Sequence, residues 1–164
     1  MRRLYRFFAL PGWEWALVVK AALLLTIIRL GLGRIAFTTL HRLVAGARRA
    51  GHGPTDARAL SDSVVWAVDA VSRRLPGRTT CLARALTVQA LLARMGYVSR
   101  LRVGVVRGQQ GQLEAHAWVD DHGRVLTAGG RADIEPFTRI AVFDVGGVDT
   151  TFAPTPMPTL PGAR

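Results

Sequence analysis

The stretch RTTCLARALTVQALLARMGY, residues 78–97, decides the fold of this chain. Small and apolar residues recur through it at helical spacing, which predicts an amphipathic or buried helix. Thr79 or Thr80 can cap the helix start by accepting from a first-turn N–H, and Gly96 suits the left-handed residue that ends a helix. Cys81, the only cysteine of the chain, therefore falls at or just inside the first turn.

The position of Cys81 suits nucleophilic chemistry. Unpaired N–H groups and partial positive charge gather at a helix start, and this environment favours a thiolate. Arg78 and Arg84 add positive charge nearby. The same N–H groups can hold a developing oxyanion. Free cysteines are also common as small buried apolar residues, so position alone leaves both interpretations open.

Helical patterns fill the chain before this stretch. Glu14 to about Leu43 is predicted as helix in two pieces, separated around Gly31-Leu32-Gly33. A linker rich in glycine follows at Gly46–Pro54, and Thr55–Arg74 is predicted as the next helix.

After Gly96 the pattern changes to the alternation of strands. Four strands are predicted, with a tight turn at Asp121-His122-Gly123: residues 99–108, 113–120 and 124–129, and a short one around 138–143. The fold class is therefore α+β, with helices followed by an antiparallel sheet that we expect to be a meander.

These elements suggest three units along the chain. Residues 1–54 would form an N-terminal helical lobe and residues 55–150 the main core. Residues 151–164 carry four prolines and are predicted to be a disordered or extended tail.

Composition limits the classes of function. The 164 residues are 49% hydrophobic, enough for a real core, and the formal net charge of +11 attracts anionic partners. No zinc-ligand spacing and no nucleic-acid-binding signature are visible, so we expect no metal, no cofactor and no nucleic acid. A single cysteine cannot form an internal disulfide, which fits a reducing cytoplasm.

The N-terminal region holds two apolar runs. Pro11-Gly12 breaks the first, and Lys20 and Arg29 interrupt and end the second, so we expect neither to span a bilayer. The sequence favours a cytoplasmic protein whose N-terminal helix packs on the main domain. Docking on a membrane surface is the alternative, because Lys20, Arg29 and Arg34 can meet anionic head groups.

His116 is the histidine that stands out. It lies mid-strand between Ala115 and Ala117, which leave its ring room, whereas we interpret His41, His52 and His122 as solvated residues of linkers, helix ends or turns. A cysteine that opens a helix and a histidine on a strand 35 residues later follow the order of papain-like and transglutaminase-like enzymes. The histidine would take the thiol proton and later protonate the leaving amine.

Two stretches carry a family resemblance: AVDAVSRRLPGRTTCLARALTVQALLARMGY, and LRVGVV followed by EAHAWVDDHGRVL. Over roughly residues 60 to 145 the chain resembles the B-type leader peptidases of lasso-peptide biosynthesis, which have a transglutaminase-like, papain-like fold. The resemblance implies a cysteine peptidase that removes the leader from a ribosomally made precursor, with Cys81 as nucleophile and His116 as base. It also implies two partners, a separate leader-recognition protein and a macrolactam synthetase similar to asparagine synthetase.

The resemblance also implies a third catalytic residue, an acid on the strand after the histidine. Counting through the hairpin pairs His116 with about Gly129, where no acid stands, so Asp133 is the nearest candidate downstream. Glu114 shares the strand face of His116 and can orient it instead, and a backbone carbonyl or the Thr127 hydroxyl are further alternatives. Asp120 lies about 13 Å along the strand, too far for direct contact.

Trp118 lies two residues after His116 on the same strand face, so it is a candidate wall of a substrate groove as well as a core residue. The arginine excess would steer an acidic leader or recognition protein to the enzyme.

Two other functions remain open. One is a non-catalytic module that delivers a peptide to a partner. The other is a transglutaminase-like acyl transferase that uses an amine in place of water.

Overall fold

The central helix of the molecule begins at Cys81, as the sequence predicts. The computed structural model describes residues 12–45, 56–77, 79–108, 110–127 and 131–144. Five helices are α1 Gly12–Leu32, α2 Phe37–Ala45, α3 Ala57–Ser72, α4 Cys81–Arg94 and α5 Arg131–Ile134. Four strands are β1 Arg100–Arg107, β2 Leu113–Asp121, β3 Arg124–Val125 and β4 Thr138–Asp144. The described residues therefore confirm helices combined with an antiparallel sheet.

Both predicted ends of α4 are confirmed. The Thr80 hydroxyl accepts from the Ala83 N–H at 3.2 Å, and Gly96 takes the left-handed conformation with φ of 78°. Between them, all residues from Ala85 to Ala93 are buried. A helix enclosed on every side forms the centre of a core, and α1, α2, α3, β1 and β2 all pack against α4.

The helices before α4 follow the predicted pattern. The first helical segment is indeed broken between α1 and α2, and α3 lies within the predicted range of residues 55–74. Asp56 caps α3 by accepting from the Ala59 N–H at 2.9 Å. One face of α1 enters the core through five side chains: Leu17, Ala21, Leu24, Leu25 and Ile28.

The predicted meander is wrong. The strand order is β3-β2-β1-β4, so the last strand pairs with β1 at the opposite edge from β3. The physical reason lies in the contacts of Phe143 on β4. Its ring meets Phe37 of α2 edge to face, and its carbonyl accepts from the buried Gln89 amide at 3.0 Å. These contacts hold β4 next to the helices.

The hairpin of β2 and β3 has the predicted tight turn. His122 and Gly123 both have positive φ, 46° and 89°, as a two-residue hairpin loop requires. β3 covers Arg124–Val125 and is shorter than the predicted strand 124–129, since Leu126 and Thr127 are not part of a strand. Residues 128 and 129 of the predicted strand lie outside the described residues.

A polar network fastens this hairpin to the helices. The Tyr97 hydroxyl donates to Asp121, and Arg124 donates to Ser61 and Asp62 of α3. Burial, more than its hydrogen bond to Asp121, raises the pKa of Tyr97 to about 12. The phenol therefore keeps its proton, and with it the bond to Asp121, at physiological pH.

The two faces of the sheet have different environments. Ala117 and Val119 of β2 point into the core beneath α4, whereas His116 and Trp118 alternate onto the other face. Phe137, just after α5, covers this second face. The candidate base thus lies on the face of the sheet that points away from the core.

The interpretation of His41 as a solvated residue is wrong. His41 is 2% exposed and lies on α2 between Phe37 and Phe143, with ring centroids 5.9 and 5.4 Å away. The break between α1 and α2 turns α2 back onto α4, which buries this side of α2. His122 is exposed as predicted, and His52 lies outside the described residues.

The expectation that neither N-terminal run spans a bilayer stays a prediction. Among the described residues, α1 is one helix that is long and apolar enough to cross a membrane by length and composition alone. Lys20 and Arg29 both lie within this helix, which runs without a break from Gly12 to Leu32.

The division of the chain at residue 54 stays a prediction, although one cluster of buried residues joins α1 to α4 and the sheet. The linker at 46–54 and the tail at 151–164 lie outside the described residues.

Candidate active site

Cys81 is half-buried at the first position of α4. The first backbone bond of the helix runs from the Arg84 N–H to the Thr80 carbonyl at 3.2 Å. The N–H groups of Cys81 and Leu82 precede this bond, so the helix ladder does not use them. They lie next to the thiol, where the oxyanion of an attacked carbonyl would form.

His116 lies on β2, a strand against which α4 packs. Its ring is stacked on Trp118 with centroids 6.3 Å apart, and Phe137 lies at 5.4 Å on another side. Burial lowers the pKa of His116 most, the Arg84 cation lowers it further, and Asp133 opposes both. His116 is therefore neutral at pH 7, which is the state that a general base needs.

Arg84 connects the two candidate catalytic residues. It lies one turn after Cys81 on α4, and it is close enough to His116 to change the pKa of the ring. Its guanidinium pairs with Asp69 of α3, and its Nε is buried with no hydrogen-bond partner among the described residues. The first turn of α4 and His116 thus share one electrostatic neighbourhood.

Within the described residues, no hydrogen bond joins Cys81 to His116. Catalytic hydrogen bonds are often long in unliganded enzymes and tighten when substrate binds. Since α4 packs on the core face of β2 and His116 points to the other face, transfer of the thiol proton to His116 needs the two side chains to move towards each other.

The candidates for the third position differ in what they contact. Asp133, in the first turn of α5, acts on His116 through its charge. Glu114 is exposed and accepts from the Gln112 amide at 3.0 Å, and the Thr127 hydroxyl accepts from the Val119 N–H at 2.9 Å. Of these three, Asp133 alone contributes to the pKa shift of His116. The assignment of Asp133 as a catalytic residue stays a prediction.

Asp120 belongs to a different interaction. Its carboxylate accepts from Nε and Nη2 of Arg102 at 3.0 and 2.8 Å, and both side chains are largely buried. This ion pair directs the Asp120 carboxylate to Arg102 of β1.

Trp118 is 1% exposed, and its ring borders a cavity of about 260 Å³ together with Phe137 and the Arg102–Asp120 pair. Its burial fits a core residue, and contact with a substrate stays a prediction.

Two residues of this site escaped sequence reasoning, Phe137 and Gly104. A Cβ built on Gly104, which pairs with His116 across β1 and β2, would lie 2.9 Å from the Trp118 ring and 3.0 Å from Phe137. Gly104 thus leaves room for the rings that surround His116. An isolated glycine inside a strand pattern is the signal that could have indicated this close approach.

The described residues contain no group of three or more His, Cys, Asp or Glu side chains that could hold a metal ion. The chemistry available in the described site is that of a thiol, an imidazole and the charges around them.

Comparisons with known proteins give one result. A family model described as the transglutaminase-like superfamily matches residues 22–142, which include Cys81, His116 and Asp133. Comparisons with curated proteins and with solved structures found no significant match. Since the matched range covers most of the 164 residues, and since the described elements are helices and an antiparallel sheet, the chain belongs to the transglutaminase-like superfamily.

Proposed function

We propose that this protein is a cysteine peptidase that cleaves the leader from a lasso-peptide precursor. The observation that carries the proposal is the placement of Cys81 at a capped helix start, with a neutral His116 within electrostatic reach of the same helical turn. The superfamily supports cysteine chemistry of protease or acyl-transferase type. The lasso-peptide substrate rests on the sequence resemblance around the cysteine and the histidine.

The reaction would follow from these groups. His116 accepts the thiol proton, and the Cys81 sulfur attacks the carbonyl carbon of the scissile bond. The N–H groups of Cys81 and Leu82 stabilise the oxyanion. Collapse forms a thioester and expels the amine, which takes the proton from His116. Water, deprotonated by His116, then attacks the thioester and regenerates the thiol.

A reconstituted assay tests the proposal directly. It would contain the precursor and the separate leader-recognition protein, with the macrolactam synthetase added to follow maturation. Cys81→Ala and His116→Ala should each abolish release of the leader, measured by mass spectrometry. His122→Ala is the matched histidine control, because this exposed turn residue should leave cleavage unchanged.

Thiol alkylation separates a peptidase from a non-catalytic module. Cys81 is the only cysteine, so iodoacetamide incorporation reports on that thiol alone. A peptidase should react faster than free cysteine at mildly acidic pH and should lose this advantage in His116→Ala. Ordinary reactivity in the wild-type protein, together with no cleavage, would identify a peptide-delivery module.

An added amine distinguishes hydrolysis from acyl transfer. A peptidase should release the leader with a free carboxylate whether or not a primary amine such as glycine ethyl ester is present. Conversion of most product to the amide would show a transglutaminase-like acyl transferase instead.

A further inference from the structure

α1 is apolar on the side that faces away from the core as well as on the side that enters it. The four residues that we call the α1 stripe are each more than half exposed: Val19, Leu23, Ile27 and Leu30. Their spacing of four, four and three residues places them on one side of the helix, over about 17 Å of its length. Only 28% of the most apolar 18-residue window of α1 is buried.

The start of α1 adds two aromatic side chains to this apolar surface. Trp13 is 56% exposed and Trp15 is 39% exposed. Tryptophan is enriched where hydrocarbon meets water at the surface of a bilayer, because its ring is apolar with one polar N–H.

Positive charge is concentrated in the same part of the chain. Residues 1–55 contain nine basic residues and one acid, Glu14, so they carry a formal charge of +8 out of the +11 of the whole chain. Lys20 and Arg34 are exposed beside or just beyond the helix. Exposed aliphatic side chains within a basic segment fit an anionic lipid surface, where apolar burial and attraction to head groups act together.

The contacts of the buried face of α1 favour one orientation of the helix relative to a membrane. Leu25 and Ile28 are fully buried in the core, and Arg29 donates to the Pro76 carbonyl at 3.0 Å. A helix that crossed the bilayer would have to leave these contacts and expose the core around α4. A helix that lies flat on the surface keeps them and buries the α1 stripe alone.

We propose that the α1 stripe, together with the exposed Lys20 and Arg34, docks this protein on an anionic membrane surface, with α1 parallel to the plane of the bilayer. This docking does not depend on the peptidase activity, since the α1 stripe lies on a different element from Cys81 and His116.

Vesicle flotation of the full-length protein is the first test. We expect binding to vesicles of equimolar phosphatidylcholine and phosphatidylglycerol, weaker binding to phosphatidylcholine alone, and loss of binding as salt is raised. The double variant Leu23→Gln/Ile27→Gln should lower the partition coefficient about tenfold or more, because it removes two side chains from the apolar contact.

A matched control tests whether any exposed apolar residue would have this effect. Val98 and Leu113 are 51% and 73% exposed and lie away from α1, so Val98→Gln/Leu113→Gln should bind vesicles as the wild type does. Circular dichroism and thermal unfolding establish that both double variants are folded. Equal loss in the two would overturn the proposal, as would failure of the wild type to float.

Single-cysteine labelling then gives the depth of each position. In a Cys81→Ala background, spin labels at Val19→Cys, Leu23→Cys, Ile27→Cys and Leu30→Cys should all report the same shallow depth, and Val98→Cys should report water. Depth that rises to a maximum near the middle of the helix would show a spanning segment and contradict the flat orientation. Labels that stay in water would instead assign the α1 stripe to a protein partner.

Discussion

At the scale of single residues, the charge state of His116 depends on two neighbours of opposite sign. The Arg84 cation lowers the pKa of the ring and the Asp133 carboxylate raises it, while burial has the largest effect. Sequence patterns alone predict that Cys81 lies on a helix and His116 on a strand. The distance from Arg84 to His116 depends on how α4 packs on β2, and local sequence patterns do not predict that packing.

Because Arg84 and Asp133 have opposite charges, their removal should shift the pKa of His116 in opposite directions. Arg84→Gln should raise the pKa of His116, because it removes a repulsive cation, and Asp133→Asn should lower it. NMR titration of the His116 ring proton, assigned with His116→Gln, measures both shifts without any substrate. Arg94→Gln, at the far end of the same helix, is the control and should leave the titration unchanged. Shifts of the same sign in the Arg84 and Asp133 variants would contradict the assignment.

At the scale of the secondary-structure element, α4 depends on Thr80 for its start. Thr80→Ala should lower the free energy of unfolding by about 1 kcal/mol, because the Ala83 N–H loses its acceptor. The same variant should slow alkylation of Cys81, since a frayed first turn no longer presents its N–H groups to the thiol. Urea unfolding and the alkylation rate measure the two effects.

Thr79→Ala is the control for this substitution. The buried hydroxyl of Thr79 has no hydrogen-bond partner in the described part of the chain, so its removal relieves an unsatisfied polar group and should cost little stability. Equal losses in the two threonine variants would mean that the cap is not what stabilises the helix.

The elements also show how far sequence patterns reach. The capped start of α4, the break between α1 and α2, the turn at His122-Gly123 and the position of β4 along the chain all follow from local residue chemistry. The pairing of β4 with β1 does not, because it depends on Phe143 and Gln89 meeting across the core. Sequence patterns leave the third catalytic position open for a similar reason, because α5, which carries the candidate Asp133, is a single turn with no strong pattern of its own.

At the scale of the whole molecule, two histidines make the free energy of unfolding depend on pH: His41, which is buried, and His116, which is half-buried. Burial lowers the pKa of His41 most, although its interaction with Gln89 partly opposes this. The unfolded chain binds a proton as the pH falls through about 6.5, where the folded protein does not yet bind one. The stability that the folded protein gains by keeping His41 neutral is therefore fully present above about pH 6.5. It is lost as the pH falls towards the lower pKa that His41 has in the folded protein. His116 acts in the same direction.

Thermal unfolding over a pH series measures this dependence. Stability of the wild type should decrease below about pH 6.5, and His41→Gln and His116→Gln should each show a shallower decrease. His122→Gln, at an exposed turn position, should keep the wild-type slope. A wild-type melting temperature that is constant between pH 7 and pH 5 would contradict the role of both histidines.

The strand order has a consequence for how the protein is made. β1 lies inside the sheet, but the neighbour that completes it is β4, which leaves the ribosome after every other described element. Until Thr138–Asp144 has emerged, a nascent chain presents β1 as an open backbone edge and leaves the Gln89 amide without its Phe143 acceptor. The edge of β1 therefore stays exposed to aggregation until the seven residues of β4 pair with it.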